Sequence, residues 1–436
     1  MQTGSTRSTT LRHWCAYSLG MGFFLYAFIQ RVAPSVMTDE LMRDFRVGAT
    51  QLGILSGAYF ATYALLQMPI GLLIDRFGAR RLLSAAAALA CLASIGFASS
   101  DSLTTATLFR AMTGATVAFA FVGTLSILSL NFPPKLFNTL AGILQTMGMA
   151  GALAGQAPLR WLIEQRGWHQ VFRDLGWMAA LLALALFFAI PRRQKQADGN
   201  KKQNQATDQT DSTDSAKPSL TASLGQVISN PQSWYCALFG FGMAAPMLAF
   251  AGLWAIPWAR SAYGIPPTQA AGIVSLLFLG WGVAAPVAGW LTDRQGYRKT
   301  IEVGGALLAL ICLSLLIYLP GWSLQSLSVL FFLAGCGGST MILLFSSIRE
   351  VNNKQNSAAA MGFANMFVVG AGGILQAVIG WLLDRNDVDI INGVPQYTSS
   401  HFQSALLILI GTSVLALVAA TRIRENSVPA HSGNNA

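Results

Sequence analysis

Charged side chains are scarce in this sequence, and acidic ones are the scarcest. Asp, Glu, Lys and Arg together make up 11% of the 436 residues, whereas hydrophobic residues make up 53%. A soluble protein of this length needs a charged surface, so the composition excludes a large soluble fold. The 18 acidic residues are outnumbered by 28 Lys and Arg, which gives a formal net charge of +10. Because these cations are scattered over short polar segments, no nucleic-acid partner is expected.

Cysteine, histidine and nucleotide-binding motifs are also sparse. The five cysteines lie inside or at the edges of apolar stretches without paired spacing, so neither a disulfide framework nor a metal site is expected. The sequence has no phosphate-binding loop, and no apolar segment combines a nucleophile, a base and an orienting group. We therefore predict a protein that is not an enzyme and needs no cofactor.

Long apolar stretches are what the sequence has in abundance. Each is about 18 to 28 residues long, enough to cross a hydrocarbon core of roughly 30 Å as an α-helix. The twelve stretches lie near residues 14–36, 50–73, 82–99, 103–131, 139–162, 173–190, 232–258, 269–291, 301–319, 324–347, 357–383 and 402–421. Because lipid offers no water to backbone groups, the predicted fold class is an all-α membrane protein with twelve transmembrane helices.

The distribution of Lys and Arg predicts the orientation of these helices. The first apolar stretch is too long for a cleaved signal peptide, so it is expected to remain as a membrane helix. With the amino terminus in the cytoplasm, most cations fall in cytoplasmic loops, as the positive-inside rule requires. The outer side then holds only Arg43, Arg46, Arg160, Arg166, Arg173, Arg260 and Arg385. We expect a multi-pass protein of a bacterial-type inner membrane with both termini cytoplasmic.

One charged motif occurs twice. The segment Gly71-Leu-Leu-Ile-Asp-Arg-Phe-Gly-Ala-Arg-Arg recurs half a chain later as Gly289-Trp-Leu-Thr-Asp-Arg-Gln-Gly-Tyr-Arg-Lys. Polar residues elsewhere match at nearly the same offset: Gln145 with Asn365, Gln156 with Gln376, and Glu164 with Asp384. Two parallel, pseudo-symmetric six-helix bundles follow, and such halves usually hold substrate between them near the midplane.

The repeat also predicts the domain boundaries. Residues 1–190 form the amino-terminal bundle and residues 232–436 the carboxy-terminal bundle. Residues 191–231 between them are rich in Gln, Asn, Asp, Ser and Thr and are expected to form a cytoplasmic linker. Apolar residues at helical spacing over 219–230 predict a short amphipathic helix on the cytoplasmic face.

The doubled motif resembles the signature loop between helices two and three of the major facilitator superfamily. Arg110-x3-Gly114 is similar to a second motif of that family, and Gly167-Trp168 resembles a third. The resemblance covers essentially the whole chain. It implies alternating access by rocking of the two halves.

The charged loop motif is expected to act as a gate. Asp75 lies at a helix end beside Arg76, Arg80 and Arg81, where such groups can pair across helix termini and favour one rocked state. The alternative is a simple positive-inside anchor, which explains neither the acids nor the glycines. The predicted gating residues are Gly71, Asp75, Arg76, Gly78, Arg80 and Arg81 and, in the repeat, Gly289, Asp293, Arg294, Gly296 and Arg298.

Arg31 and Arg110 lie within predicted membrane helices. An unpaired arginine at a helix centre costs about 2.5–3.5 kcal/mol or more, so each is a functional candidate. Both side chains can face the cavity and hold an anion such as a carboxylate or a phosphate. The alternatives are snorkelling of Arg31 to the outer surface and a structural hydrogen-bonding role for Arg110.

A polar stripe on the second helix is expected to line the same cavity. Ser56, Tyr59, Tyr63 and Gln67 follow at spacings of three and four, and the stripe is too polar to face lipid. Trp258 is balanced between an interfacial anchor and a cavity residue. The predicted substrate-binding residues are Tyr26, Arg31, Tyr59, Tyr63, Gln67, Arg110, Gln145, Trp254, Trp281 and Asn365.

The segment from Arg31 to Arg81 resembles the anion:cation symporter branch of the family, which moves sugar acids and other organic anions. In that branch an acidic residue typically precedes the helix-one arginine, and a glutamate follows the helix-four arginine by seven positions. Gln30 and Val117 occupy these positions here. All acids of this chain are expected in loops or at helix ends, and the histidines are peripheral as well.

The driving force is therefore left open between three mechanisms. A proton can travel with the substrate or on an edge group such as Asp39, Glu40 or Asp174, or the protein can exchange anions, or it can act as a uniporter. We expect a monomeric secondary transporter of a small organic solute, with an organic anion favoured. The alternatives are a uniporter or proton-linked carrier of a neutral or zwitterionic solute, such as a peptide or drug, and a non-transporting membrane sensor.

Overall fold

The computed structural model describes residues 3–190, 220–295, 297–319, 321–353, 356–391 and 394–425. Residues 191–219 of the predicted linker, and Gly296, lie outside the described residues. So do the side chains of Asp75 and Asp293, and Gly71 beyond its helical backbone. For the predicted gating residues, side-chain contacts are therefore described only at the other positions.

Helices occupy nearly all of the chain before residue 190. They are α1 (Thr3–Val32), α2 (Thr38–Phe45), α3 (Ala49–Phe77), α4 (Ala79–Ala98), α5 (Leu103–Asn131), α6 (Pro134–Ala154), α7 (Ala157–Arg166) and α8 (Trp168–Ala189). A 3₁₀ turn, Ala33–Val36, extends α1. The predicted span 139–162 is divided into α6 and α7, and Pro158 stands in the first turn of α7, where its missing N–H has no helical partner to lose.

The chain after residue 220 follows the same plan. Its helices are α9 (Leu220–Ser229), α10 (Pro231–Ala245), α11 (Ala255–Tyr263), α12 (Pro267–Gln295), α13 (Arg298–Tyr318), α14 (Leu324–Ser339), α15 (Leu344–Glu350), α16 (Ser357–Leu383) and α17 (Ser399–Arg422). The helix predicted over 219–230 is present as α9. Its Val227 is fully buried, whereas Ile228 is half exposed.

Ten helical stretches in the described part of the chain are long and apolar enough to cross a membrane. They are Leu11–Val36, Ala79–Ala98, Leu103–Asn131, Trp168–Ala189, Pro231–Tyr263, Pro267–Thr292, Arg298–Tyr318, Leu324–Glu350, Ala359–Leu383 and Ser399–Arg422. Thr139–Ala154 is apolar but shorter. The all-helical membrane fold predicted from the sequence is thus confirmed.

One predicted helix contains an irregular middle section. Between α10 and α11, residues Pro246–Trp254 form a π-helix, in which each turn is wider than in an α-helix. Pro246 and Pro257 lack the N–H groups that a continuous α-helical ladder would use. Glutamine side chains also bind carbonyls of this section: Gln376 Nε2 donates to the Leu248 carbonyl at 2.8 Å and Gln156 Nε2 to that of Ala251 at 3.5 Å.

A small β-hairpin between α16 and α17 is, like the short helix α2, an element that the sequence pattern did not predict. Its strands, Asp389–Ile391 and Val394–Gln396, pair antiparallel with Asp389 opposite Gln396. It lies on the side of the bundle that we call the distal face. The opposite side, where α1 begins and α17 ends, is the terminal face.

Close helix crossings join the two halves of the chain, most extensively between α3 and α16. Glycines permit this approach. A Cβ at Gly57 would lie 2.8 Å from the Gly373 carbonyl oxygen, and one at Gly380 would meet the backbone of Ala49. A similar crossing brings α12 against α6, where a Cβ at Gly282 would lie 3.3 Å from Met149.

Candidate functional site

The candidate site is assembled where α5 packs closely on α3. A Cβ at Gly114 of α5 would lie 2.7 Å from Thr62 Oγ1 and would also overlap the Tyr59 carbonyl oxygen. The Thr62 hydroxyl in turn donates to the Ala111 carbonyl at 2.7 Å. This approach carries Arg110, one turn before Gly114, into the space between α1 and α3.

Arg110 is completely buried and only partly satisfied. Its Nη1 donates to the backbone carbonyl oxygen of Gln30 at 2.9 Å, while Nε and Nη2 have no hydrogen-bond partner. The guanidinium carbon lies 5.0 Å from the centre of the Tyr59 ring and 6.0 Å from that of Phe97, within the range of cation–π attraction. The surrounding side chains therefore leave two donor groups of a buried cation without a hydrogen-bond acceptor.

Gln30 connects Arg110 to a buried hydroxyl pair. Its Nε2 donates to the Tyr26 hydroxyl at 2.8 Å and to Ser94 Oγ at 2.6 Å, and these two hydroxyls lie 2.7 Å apart. Its Oε1 is buried without a partner. The amide therefore supports α1 against α4.

Arg31 lies beside this network in an aromatic surround. Its guanidinium carbon is 4.3 Å from the centre of the Phe28 ring, 4.9 Å from Tyr63 and 5.9 Å from Tyr59. The residue is 8% exposed, and its Nε has no hydrogen-bond partner. Aromatic faces hold the cation in position but do not neutralise it.

The stripe predicted on α3 has its members on both sides of this cluster. Tyr59 and Tyr63 are stacked with ring centres 6.1 Å apart, and the Tyr59 hydroxyl donates to the Ala27 carbonyl at 3.1 Å. Ser56 Oγ and Gln67 Nε2 are buried and have no partner. The stripe thus contributes two buried polar atoms without hydrogen-bond partners, in addition to those of the two arginines.

In the described residues, no carboxylate forms an ion pair with Arg31 or Arg110. Both guanidinium groups lie within 6 Å of the centre of the Tyr59 ring, and neither has the counter-charge that normally accompanies a buried arginine. An anion placed between them would supply that charge and accept their free N–H groups.

The other predicted binding residues occupy separate places. Trp254 is fully buried and donates from Nε1 to the Gln376 carbonyl at 3.0 Å. Trp281 is 4% exposed, and its ring lies 2.8 Å from where a Cβ at Gly338 would stand. No hydrogen bond or ring contact within the described residues links these two, or the half-buried Gln145 and Asn365, to the arginines.

Trp258 has the character of a core residue. It is 1% exposed and packs edge-on against Phe250, with ring centres 5.6 Å apart. Tyr26, in contrast, belongs to the arginine cluster through Gln30, although its hydroxyl is used by Ser94 and Gln30.

The predicted gating residues that the structure describes lie on the terminal face. Gly78 has φ of +81°, a conformation that a side chain would strain, and it ends α3 and begins α4. Arg80 lies over the Phe187 ring at 4.4 Å, and Arg76 and Arg294 lie over the rings of Phe77 and Trp290, each at 5.3 Å. Gly289 has open space where a Cβ would stand.

Arg298 is the most heavily paired of the predicted gate residues. It forms a bidentate ion pair with Glu350 at the end of α15, and its backbone N–H donates to Glu425 at 2.7 Å. Glu302 lies 3.9 Å from Arg298 and accepts from the Ser347 hydroxyl at 2.5 Å. Glu302 is fully buried, which its predicted position near a helix end did not indicate.

Polar contacts between the two halves lie towards the distal face in the part of the chain that the structure describes. Arg260 pairs with Asp39, the Thr268 hydroxyl donates to Glu164 at 2.8 Å, and Asp384 accepts from the backbone N–H of Ala49 at 3.0 Å. The sequence pattern did not predict these contacts. The one available signal was Gly48, which precedes α3 where a side chain would normally cap the helix.

The sequence of this chain matches the model of a known protein family. The model for the Major Facilitator Superfamily matches residues 19–375 and 249–436. The chain belongs to the major facilitator superfamily. The resemblance stated from the loop motifs is thereby confirmed, and members of this family are transporters.

Individual relatives agree with this assignment. A protein of Agrobacterium vitis named "Putative tartrate transporter" is 23% identical over 453 residues, covering 99% of this chain and 97% of the relative. The "Probable galactarate/D-glucarate transporter GudP" of Escherichia coli is 21% identical, covering 92% and 93%. These names bear out the similarity to transporters of organic anions.

The fold also matches solved structures. The inward-facing, unoccupied structure of a bacterial homologue of the human lysosomal transporter Spinster has a TM-score of 0.72. It is 16% identical in sequence, covering 94% of this chain and 96% of that chain. This likeness concerns the fold alone.

Proposed function

We propose that this protein is a secondary transporter that carries a small organic anion by alternating access. The observation that carries the proposal is the pair Arg31 and Arg110. Both cations are buried, both have unused N–H groups, and no described carboxylate pairs with either. A bound carboxylate would remove the cost of two uncompensated charges inside the membrane.

The relatives support the chemical class of the substrate. Tartrate, galactarate and glucarate, which appear in the names of the two relatives, are organic acids. An arginine with its planar fork of donors suits a carboxylate better than a lysine does. We expect Arg31 to bind the carboxylate directly and Arg110 to hold α1 in place and contribute positive potential.

The transport cycle is proposed to use twelve helices in two pseudo-symmetric halves, 1–190 and 232–436. Both termini and the linker over 191–231 lie in the cytoplasm of a bacterial-type cell, with the protein in its inner membrane. The Lys and Arg bias of the loops supports this orientation. The protein works as a monomer whose partners are its substrate and the lipid bilayer.

The coupling is proposed to be anion exchange or uniport. Gln30 and Val117 stand where the related symporters have acids, and the Gln30 amide is committed to Tyr26 and Ser94. A proton carrier has to change charge within the membrane, and an amide cannot do so. A gradient of the anion is then the source of energy.

Uptake by proteoliposomes tests the proposal. Purified protein is reconstituted, and uptake of radiolabelled tartrate and D-glucarate is measured with and without unlabelled acid inside. We expect uptake of at least one acid above that of protein-free vesicles. Arg31→Gln should lower uptake about ten-fold or more, because a charge-assisted hydrogen bond is worth at least 1.4 kcal/mol, or about a factor of ten.

Arg173→Gln provides the matched control. Arg173 is an exposed arginine of α8 that lies away from the cluster, so its loss should leave uptake unchanged. If Arg31→Gln transported the acid as well as the parent does, the anion site would be wrong. Uptake of a neutral or zwitterionic solute without any of an acid would favour the alternative carrier.

A further inference from the structure

On the distal face, an acid of one half contacts the first turn of a helix in the other half at two places. We infer that Asp384 and Glu164 act as a pair of latches, each lying after or at the end of one helix and binding the amino-terminal end of a helix in the other half. The inference rests on the alternating access proposed above, but it does not depend on which substrate is carried.

Asp384 caps a helix that has no cap of its own. Helix α3 begins after Gly48, whose missing side chain leaves the first N–H groups unpaired. The Asp384 carboxylate, directly after the end of α16, accepts from Ala49 N–H at 3.0 Å and from Thr50 N–H at 2.8 Å. A Cβ at Gly48 would lie 2.9 Å from the carboxylate oxygens, so glycine is also the residue that admits the acid.

Tyr397 completes this latch from the loop before α17. Its hydroxyl donates to Asp384 and accepts from Ala49 N–H at 2.9 Å. Burial raises the pKa of Tyr397 above its usual value, and the neighbouring Asp384 raises it further. The phenol therefore stays protonated and keeps its hydrogen for the carboxylate.

Glu164 makes the corresponding contact on the other helix pair. It lies in the last turn of α7, and the Thr268 hydroxyl in the first turn of α12 donates to its two oxygens at 2.9 and 2.8 Å. Burial raises the pKa of Glu164, but the hydrogen bonds from Thr268 and Arg160 outweigh burial and hold it below its ordinary value. The carboxylate is thus charged at neutral pH, as a helix start favours.

The sequence repeat relates these two contacts. Glu164 and Asp384 are matching positions, and so are the helices that they bind, α12 and α3. The loop-motif acids Asp75 and Asp293 lie near the opposite, carboxyl ends of those same two helices. Each of α3 and α12 therefore has an acidic contact at its distal start and a motif acid at its terminal end.

Opening the distal face has to break both contacts. When α16 moves away from α3, the N–H groups of Ala49 and Thr50 lose a charged partner at a helix end that offers no replacement. Removing one negative charge should therefore shift the protein towards the state that is open on the distal face.

Distance measurements between two spin labels test the latches without any substrate. The labels are attached at Gln51→Cys, exposed at the start of α3, and Ser400→Cys, exposed at the start of α17, after the native cysteines are replaced by serine. The full chain is measured in lipid nanodiscs at pH 7. The distance distribution then reports the separation of the two halves on the distal face.

We expect Asp384→Asn and Glu164→Gln each to add a longer-distance component, raising the distal-open population about ten-fold. Asp387→Asn, which removes an exposed acid three residues from Asp384, should match the parent. Thr268→Val isolates the contact between halves, because it leaves the ion pair of Glu164 with Arg160 in place, and it should also add the component.

Unchanged distances in both acid variants and in Thr268→Val would overturn the inference. A longer-distance component in a protein that carries no organic anion would refute the substrate class while leaving the latches intact. Uptake lost in Arg31→Gln, together with unchanged distances in the latch variants, would refute the latches and leave the substrate class intact.

Discussion

At the scale of single residues, the membrane interior contains positive charge without its usual compensation. Arg31 is surrounded by Phe28, Tyr59 and Tyr63, and Arg110 is bound to the Gln30 carbonyl. Aromatic rings and a carbonyl orient a guanidinium but leave its net charge in place. Residues that hold a buried charge ready in this way are typical of a site that awaits a ligand of opposite charge.

Gln30→Glu is predicted to make transport depend on pH. A carboxylate at this position would lie beside Arg110, whose Nε and Nη2 are unpaired, and could gain and lose a proton during the cycle. Uptake by the variant should change by up to about ten-fold when a pH gradient of one unit is imposed, since a tenfold proton ratio corresponds to about 1.36 kcal/mol. Proteoliposomes with buffered interiors provide the measurement.

The parent protein and Gln170→Glu are the controls for this prediction. Gln170 is an exposed residue of α8, so an acid there should not alter the response. A parent that already accumulates the anion in proportion to the pH gradient would contradict the proposed coupling.

At the scale of helices, glycine decides where the two halves can touch. Along α16, a Cβ at Gly372 would lie 2.8 Å from the Phe60 ring, and one at Gly380 would meet the Ala49 backbone, whereas Gly370 has open space. The apolar length of the helix predicts that it spans the membrane. The partner of each glycine follows only from the crossing with α3.

Gly380→Ala is predicted to weaken closure of the distal face. Its Cβ would lie 2.6 Å from the Ala49 carbonyl carbon, and a backbone cannot yield as a flexible side chain can. The spin-label pair at residues 51 and 400 should then show a longer mean distance. Gly370→Ala in the same helix has no neighbour within 4 Å and should leave the distance unchanged.

At the scale of the whole molecule, the polar contacts between the two halves are concentrated on one face. In the described chain they lie towards the distal face, while the terminal face has contacts within each half, such as Arg298 with Glu350 and Arg12 with the Ala189 carbonyl at 3.1 Å.

Binding of an organic acid is predicted to raise the temperature of unfolding of the purified protein. A ligand at one hundred times its Kd stabilises the state that binds it by about 2.7 kcal/mol. Differential scanning fluorimetry with tartrate and D-glucarate in detergent should show the shift for at least one acid. The neutral diamide of the same acid should give none, and Arg31→Gln should abolish the shift.

An equal shift with the acid and its diamide would speak against recognition of the charge. Arg173→Gln should keep the full shift, since the exposed guanidinium of α8 is distant from the cluster. If Arg173→Gln also lost the shift, the shift would depend on the total number of positive charges and not on the arginine cluster.

The sequence by itself determined the class of protein and its repeated charged loop motif, because apolar length and short charged motifs are local properties of a chain that must cross lipid. Arg31 and Arg110 could be identified because any arginine in an apolar helix is conspicuous. Tertiary structure decided what these residues contact. Gln30 meets Ser94, and Asp384 caps α3 across more than 300 positions, because helix packing brings distant residues together and no local pattern records that approach.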